Sequence, residues 1–110
     1  MSITADLIRG NTDTIILAQL YNNDSYGYEI NKAIRQTTSN AYELKEATLY
    51  TVFKRLEDMG CISSYWGDEN VGARRKYYSI TAYGKETYKH LYGEWKEATG
   101  IIESLLVKEN

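Results

Sequence analysis

The sequence predicts a mainly helical protein interrupted once by a β-hairpin, and three observations carry that reading. Before residue 60, apolar residues recur at helical spacing in three separate stretches. Between residues 61 and 80 the period falls to two on either side of a polar, glycine-flanked segment. From Thr81 to about Val107 the helical period returns, with apolar residues spaced 3, 4, 3, 4, 3.

The elements follow in order. From Ala5 to about Tyr21, Leu7, Ile8, Ile15, Ile16, Leu17 and Leu20 suggest a first helix, which Asn22-Asn23-Asp24 ends. Asp24 or Ser25 is placed to cap a second helix, since a short side-chain oxygen accepts an orphan N–H of the first turn. Tyr26, Ile30, Ala33 and Ile34 continue it to about Thr37, and Thr38-Ser39-Asn40 reads as a loop. The third helix runs from about Glu46 to Met59 with Leu49, Val52, Phe53 and Leu56 on one face. Gly60 stops it where a left-handed residue is wanted. Ile62, Ser64 and Trp66 alternate with Cys61, Ser63 and Tyr65 in a first strand. A turn is expected at Gly67-Asp68-Glu69-Asn70-Val71-Gly72, followed by a second strand from Arg74 to Ile80 with Tyr78 and Ile80 on one face. Thr81 caps the last helix.

Three helices, then a hairpin with a basic flank, is the pattern of a winged helix-turn-helix. Residues 1–80 would form that DNA-binding domain. Residues 81–110 would form a C-terminal dimerisation helix, the two making one compact unit. A chain of 110 residues has room for one domain, and at this size part of its core is expected to come from a partner chain.

Composition narrows the function. A hydrophobic fraction of 43% and a charged fraction of 25% fit a soluble globular protein. No apolar stretch is long enough to cross a bilayer, so no membrane association is expected. MSITADLIRG lacks the basic start and apolar run of a signal peptide, which leaves a cytoplasmic location as the expectation. Cys61 is the only cysteine, so it forms no intrachain disulfide and no thiol metal site. His90 has no partner at metal-ligand spacing and reads as a surface residue. There is no nucleophile–base arrangement, phosphate loop or metal cluster, so neither an enzyme nor a cofactor is expected. The net charge is −2, but it is unevenly spread. Residues 45–80 alone are net positive, with six basic and five acidic groups, and the charge is focused at Arg74, Arg75 and Lys76.

The candidate functional residues fall in three groups. Opposite the apolar stripe of the third helix lie Ala47, Thr48, Thr51, Lys54, Arg55 and Asp58, with Tyr50 on the flank. In a helix-turn-helix this helix enters the major groove, where small residues permit close approach and threonine and lysine read bases or phosphates. The plainer alternative is a solvated face with Lys54 and Asp58 paired at i, i+4. Arg74, Arg75 and Lys76 on the hairpin suit phosphates or the minor groove, or else protect a sheet edge from aggregation. The third group is the C-terminal seam of Tyr88, Leu91, Trp95, Ala98, Ile102 and Leu105. Such a seam faces a second helix, in the same chain, in a partner, or both. Trp95 on it is either a core residue or, meeting its own copy near a two-fold axis, half of an enclosure for a flat aromatic ligand. Leu7, Gly10, Thr14, Ala18 and Tyr21, spaced 3, 4, 4, 3, share a mostly small face that would leave space opposite it.

From Glu46 to Thr81, EATLYTVFKRLEDMGCISSYWGDENVGARRKYYSIT resembles the PadR family of bacterial transcriptional regulators, as does SYGYEI at Ser25 to Ile30. The resemblance extends over nearly the whole chain. It is closest to the short subfamily with one C-terminal helix, and within it to a multidrug-responsive repressor. It implies an obligate homodimer whose C-terminal helix packs against the partner's N-terminal region, bound to double-stranded DNA at a palindromic operator. It also implies a hydrophobic pore at the dimer centre that takes planar aromatic molecules between paired tryptophans, with control of an efflux gene. By that register Trp95, Leu7, Gly10, Asp13, Thr14, Ala18, Tyr21, Tyr92, Thr99 and Ile102 would face the pore.

Overall fold

The computed structural model describes residues 6–67 and 74–109. Residues 6–8 are helical and lead through a 3-10 turn, Arg9–Asn11, into α1, Thr12–Leu20. Then come α2, Gly27–Thr37; α3, Glu46–Asp58; β1, Ile62–Trp66; β2, Lys76–Ile80; and α4, Ala82–Leu105. The two strands are antiparallel, from Ile62 opposite Ile80 to Trp66 opposite Lys76. This is a mainly helical winged helix with a long C-terminal helix.

The core is built from the apolar stripes. Ile16, Leu17 and Leu20 of α1, Ile30 and Ile34 of α2, and Leu49, Val52, Phe53 and Leu56 of α3 are buried together. Leu44, Cys61, Ile62 and Tyr78 close the cluster. The Phe53 ring stacks on Tyr78 at 4.0 Å between centroids, fixing α3 to the hairpin. Asn31 clamps the loop before α3. Its Nδ2 donates to the Leu44 carbonyl at 2.7 Å and its Oδ1 accepts from the Leu44 N–H at 3.0 Å. That pairing settles a buried backbone group outside any regular element and fixes where α3 begins.

Four helix and strand boundaries differ from expectation. The first helix is not continuous, because the 3-10 turn interrupts it at Gly10. No side chain caps α2: Tyr26 occupies the N-cap position. Ser25 instead exchanges backbone hydrogen bonds with Tyr78 at 3.1 and 2.7 Å, and its hydroxyl donates to Glu29 at 2.7 Å. Asp24 accepts a hydrogen bond from the Tyr65 hydroxyl at 2.6 Å. Both predicted caps thus serve the hairpin and the start of α2 in other ways. Finally, β2 begins at Lys76, so Arg74 and Arg75 precede it, and α4 ends at Leu105. Most of the expected turn, residues 68–72, lies outside the described residues.

Other local expectations match. Gly60 has φ +80°, and the loop at 38–40 uses left-handed Ser39 and Asn40. Thr81 caps α4 by accepting the Gly84 N–H at 2.9 Å. Gly84 is the one buried residue of α4, and it rests directly on the Cys61 carbonyl at the root of the hairpin. Tyr88 and Leu91 pack on the core. Beyond them the helix stands clear: Trp95, Ala98, Ile102 and Leu105 are exposed within this chain, which measures 58 × 30 × 21 Å. Among the described residues no helix is long and apolar enough to cross a membrane, and no group of three or more His, Cys, Asp or Glu is placed to hold a metal.

Candidate nucleic-acid interface and apolar cavity

Burying Leu49, Val52, Phe53 and Leu56 turns the rest of α3 outward. Ala47, Thr48, Tyr50, Thr51, Lys54 and Arg55 are all exposed. The Thr51 hydroxyl donates to the Ala47 carbonyl at 2.9 Å, which leaves its lone pairs toward solvent. Lys54 pairs with Asp58 at 3.4 Å, both groups well exposed, so solvent screens the pair and Lys54 is readily redirected. Arg55 behaves differently. Its Nε donates to Asp13 Oδ2 at 3.3 Å and its Nη2 to Asp13 Oδ1. This bond raises the Arg55 pKa above its ordinary value, more than partial burial lowers it. Two residues expected in different sites are therefore one ion pair joining α1 to α3.

Along the same side of α3 runs a groove of about 380 Å³, bounded by Ala47, Thr48, Thr51 and Arg55 and, opposite, by Arg9 and Thr12. Arg9 was not expected at this surface. It lies 38 residues and more from its α3 neighbours, and the 3-10 turn brings it there. Its guanidinium pairs with Asp6 at 2.8 Å, both side chains well exposed.

The hairpin cations lie over aromatic rings. Arg74 sits 5.7 Å from the Trp66 ring and donates to the Gly67 carbonyl at 3.3 Å. Arg75 lies 4.9 Å over Tyr26, and Lys76 lies 6.0 Å from Trp66 and 5.8 Å from Tyr78. Ring faces orient a cation without neutralising it, so the positive potential still reaches outward. The three cations, Trp66, Tyr26, Gly27 and Tyr28 line a cleft of about 400 Å³ together with Tyr50 of α3. The hairpin and α3 therefore open onto one side of the molecule.

A second cavity, about 420 Å³, lies between α1, the C-terminal end of α2 and α4. Leu7, Thr14, Ala18, Tyr92 and Trp95, which were expected at a pore between two copies, line this cavity within one chain. Tyr42, Thr37, Thr38 and Tyr88 also line it, and no periodicity pointed to the first three. Tyr88, Tyr92 and Trp95 form a near-parallel ladder, with ring centroids 5.9 and 6.2 Å apart. Gly10, Asp13, Tyr21, Thr99 and Ile102 do not line this cavity within the chain. Gly10 belongs to the 3-10 turn, whose 120° per residue breaks the helical register. Asp13 faces Arg55. Tyr21 lies beyond the end of α1 against Tyr88, 5.2 Å away, under the Lys85 ammonium at 5.4 Å. The Thr99 hydroxyl donates to the Trp95 carbonyl at 2.9 Å, and Ile102 is a further turn along α4.

Comparison with known proteins gives a consistent picture. The model of the family described as "Transcriptional regulator PadR-like family" matches residues 16–90. A transcriptional regulator of Clostridium thermocellum has a similar structure, with 48% identity and a TM-score of 0.85 over 93% of this chain and 99% of that one. A PadR family transcription regulator of hypervirulent Clostridium difficile is 36% identical with a TM-score of 0.77, covering 88% of this chain and 99% of its own. An uncharacterized protein of Lysinibacillus sphaericus is 46% identical over 101 residues, which is 92% of this chain and 93% of that protein.

Proposed function

We propose, from the fact that this chain belongs to the transcriptional regulator PadR-like family, a specific way in which it regulates. It is a DNA-binding transcriptional regulator. On our reading it is a cytoplasmic repressor that binds a palindromic operator as a homodimer, without cofactor or catalysis. Residues 1–80 read the DNA and residues 81–110 join the two copies.

The observation that carries this reading is the shared cleft. Tyr50 of α3 and the cations Arg74, Arg75 and Lys76 line one space, so recognition helix and wing face the same partner. Thr48 and Thr51 then lie toward base edges in the major groove, and the wing cations lie toward phosphates. Two copies would address half-sites about 34 Å apart or a multiple of that. Support for the dimer comes from the second half of α4, whose apolar seam is uncovered within one chain.

The apolar cavity supports a small-molecule signal. Its volume falls in the range usual for ligand sites, roughly 300–1,000 Å³. The ring ladder at its edge favours a planar aromatic molecule. A preference for cations would come from the ring faces rather than from Asp13, which is turned toward Arg55. Occupancy would act on DNA binding by changing how two copies set their wings.

The test is the double variant Arg74→Gln/Arg75→Gln, titrated with duplex DNA over a range of salt. Its affinity should drop for every sequence, and the log–log salt slope should flatten by about 0.9 for each phosphate contact removed. Unchanged affinity and slope would refute the wing as a DNA contact.

A further inference from the structure

The ion pair between Asp13 and Arg55 has a place in the DNA reading above, on which the following rests. Thr48, Thr51 and Arg55 are spaced 3 and 4 along α3 and so form one outward stripe. The two threonines are exposed along it, at a groove that Arg9 and Thr12 bound on the other side. Arg55 is tied down. Two N–H groups of its fork are turned back onto a carboxylate 42 residues earlier in the chain. The geometry is a two-point grip of the kind that arginine uses on phosphate.

Several features make this pair firmer than its neighbours. The Asp13 side chain is 29% exposed, against 79% and 66% for Lys54 and Asp58 on the same helix. Solvent and salt therefore screen it less. Asp13 lies in the first turn of α1 and Arg55 in the last turn of α3. Each charge thus sits at the helix end whose dipole favours it. Next to Asp13, Thr14 and Ala18 of the same short helix line the apolar cavity.

We propose that Asp13 is a positioning residue for DNA binding: it holds Arg55 against α1 and withholds that cation from DNA. Neutralising Asp13 then adds a phosphate contact instead of removing one. Because α1 also walls the cavity, a shift of α1 would alter how tightly Arg55 is held.

The test titrates a pool of 30-bp random-sequence duplexes by fluorescence anisotropy, from about 50 to about 200 mM salt, the range over which phosphate contacts are separated. Wild type, Asp13→Asn, Arg55→Gln and the double variant are compared. Asp13→Asn should steepen the salt slope by about 0.9, one phosphate contact, and bind severalfold more tightly at the low-salt end. Arg55→Gln should match wild type, and Asp13→Asn/Arg55→Gln should match Arg55→Gln. Arg55→Lys, which keeps the charge but not the fork, should steepen the slope as Asp13→Asn does. It still reports release should Asp13→Asn not fold. If the gain from Asp13→Asn persists without Arg55, general loss of negative charge explains it and the proposal falls. Weaker binding by a folded Asp13→Asn also overturns it, as does an unchanged slope in both Asp13→Asn and Arg55→Lys. These outcomes presuppose wing-dependent binding by wild type. If wild type binds no duplex, the DNA reading falls first and this inference with it.

Discussion

The contact between α4 and the hairpin root can be broken with a single methyl group. A Cβ built on Gly84 would lie 2.0 Å from the Cys61 carbonyl oxygen and 2.8 Å from Ile80 Cγ1. The first of these neighbours is backbone, so no rotamer change relieves it. Bringing the contact past 3.0 Å requires the helix to retreat by about 1 Å. That retreat strains the Thr81 N–H bond to the Cys61 carbonyl, now 3.0 Å, and the Thr81 hydroxyl bond to the Gly60 carbonyl, now 2.7 Å. Overpacking of this kind costs ~1–3 kcal/mol, and each weakened hydrogen bond up to ~1 kcal/mol more. Against it stands the gain of alanine over glycine inside a helix, ~1 kcal/mol. The expected net effect of Gly84→Ala is a loss of about 2–3 kcal/mol, or a melting temperature lower by ~10–20 °C for a chain of this size. The measurement is thermal unfolding by circular dichroism at fixed chain concentration, since dimers melt in a concentration-dependent way. Gly93→Ala and Gly100→Ala are the controls. Nothing lies within 4 Å of a Cβ at either position, and both are off the seam. Each should gain ~0.5–1 kcal/mol. If Gly84→Ala melts at or above the wild-type temperature, the close approach of α4 to Cys61 is wrong.

Three further outcomes are expected. Ile102→Glu puts a charge on the uncovered seam and should shift the sedimenting species to a folded monomer; a wild type that is already monomeric would dismiss the dimer. A planar aromatic cation should quench tryptophan fluorescence, with most of the effect kept in Trp66→Phe and affinity lost by ~1–3 kcal/mol in Trp95→Ala; a panel of such dyes that leaves the wild-type signal unchanged, while Trp95→Ala unfolds the chain, would make Trp95 a packing residue. Burial, and behind it the Glu57 charge, raises the Tyr78 hydroxyl above the ordinary tyrosine range. The folded chain then keeps a proton that the unfolded chain releases, so this contribution is full below about pH 10 and is lost as pH rises through the raised value. Tyr78→Phe should accordingly lose less stability than wild type between neutral and strongly alkaline pH, and parallel curves would contradict it.

What the sequence made legible is what depends on near neighbours. The Leu49, Val52, Phe53, Leu56 stripe, the stop at Gly60 and the Thr81 cap each need only residues within one or two turns. The order of helices, hairpin and long helix followed from those pieces. The expectations that shifted depend on distant groups. Asp24 and Ser25 carry good capping chemistry, but Tyr65 and Tyr78, more than 40 residues on, compete for them and win. Asp13 looked like a cavity residue because its partner, Arg55, is separated from it by 42 positions. The Asn31 clamp on Leu44 follows no pattern, since an amide that mimics a backbone pair looks like any surface asparagine. The cavity was half visible. Its α4 wall is periodic, while Tyr42 and Thr38 reach it from an irregular loop.

The seating of Gly84 on the hairpin root also has a mechanical consequence. With no Cβ between them, helix and hairpin share a bearing, and α4 is the long arm of a lever that turns on it. A helix of 24 residues is about 36 Å long, so a swing of ~5° at the bearing carries the far end through about 3 Å. The reverse holds too. Where the far ends of two such arms are fastened together, a small change in their crossing angle is delivered to the short side of each lever, where the wings are. The spacing between two wings then follows that angle, and a side chain at position 84 would put slack into one joint that transmits it, leaving the packing of Tyr88 and Leu91 on the core as the other.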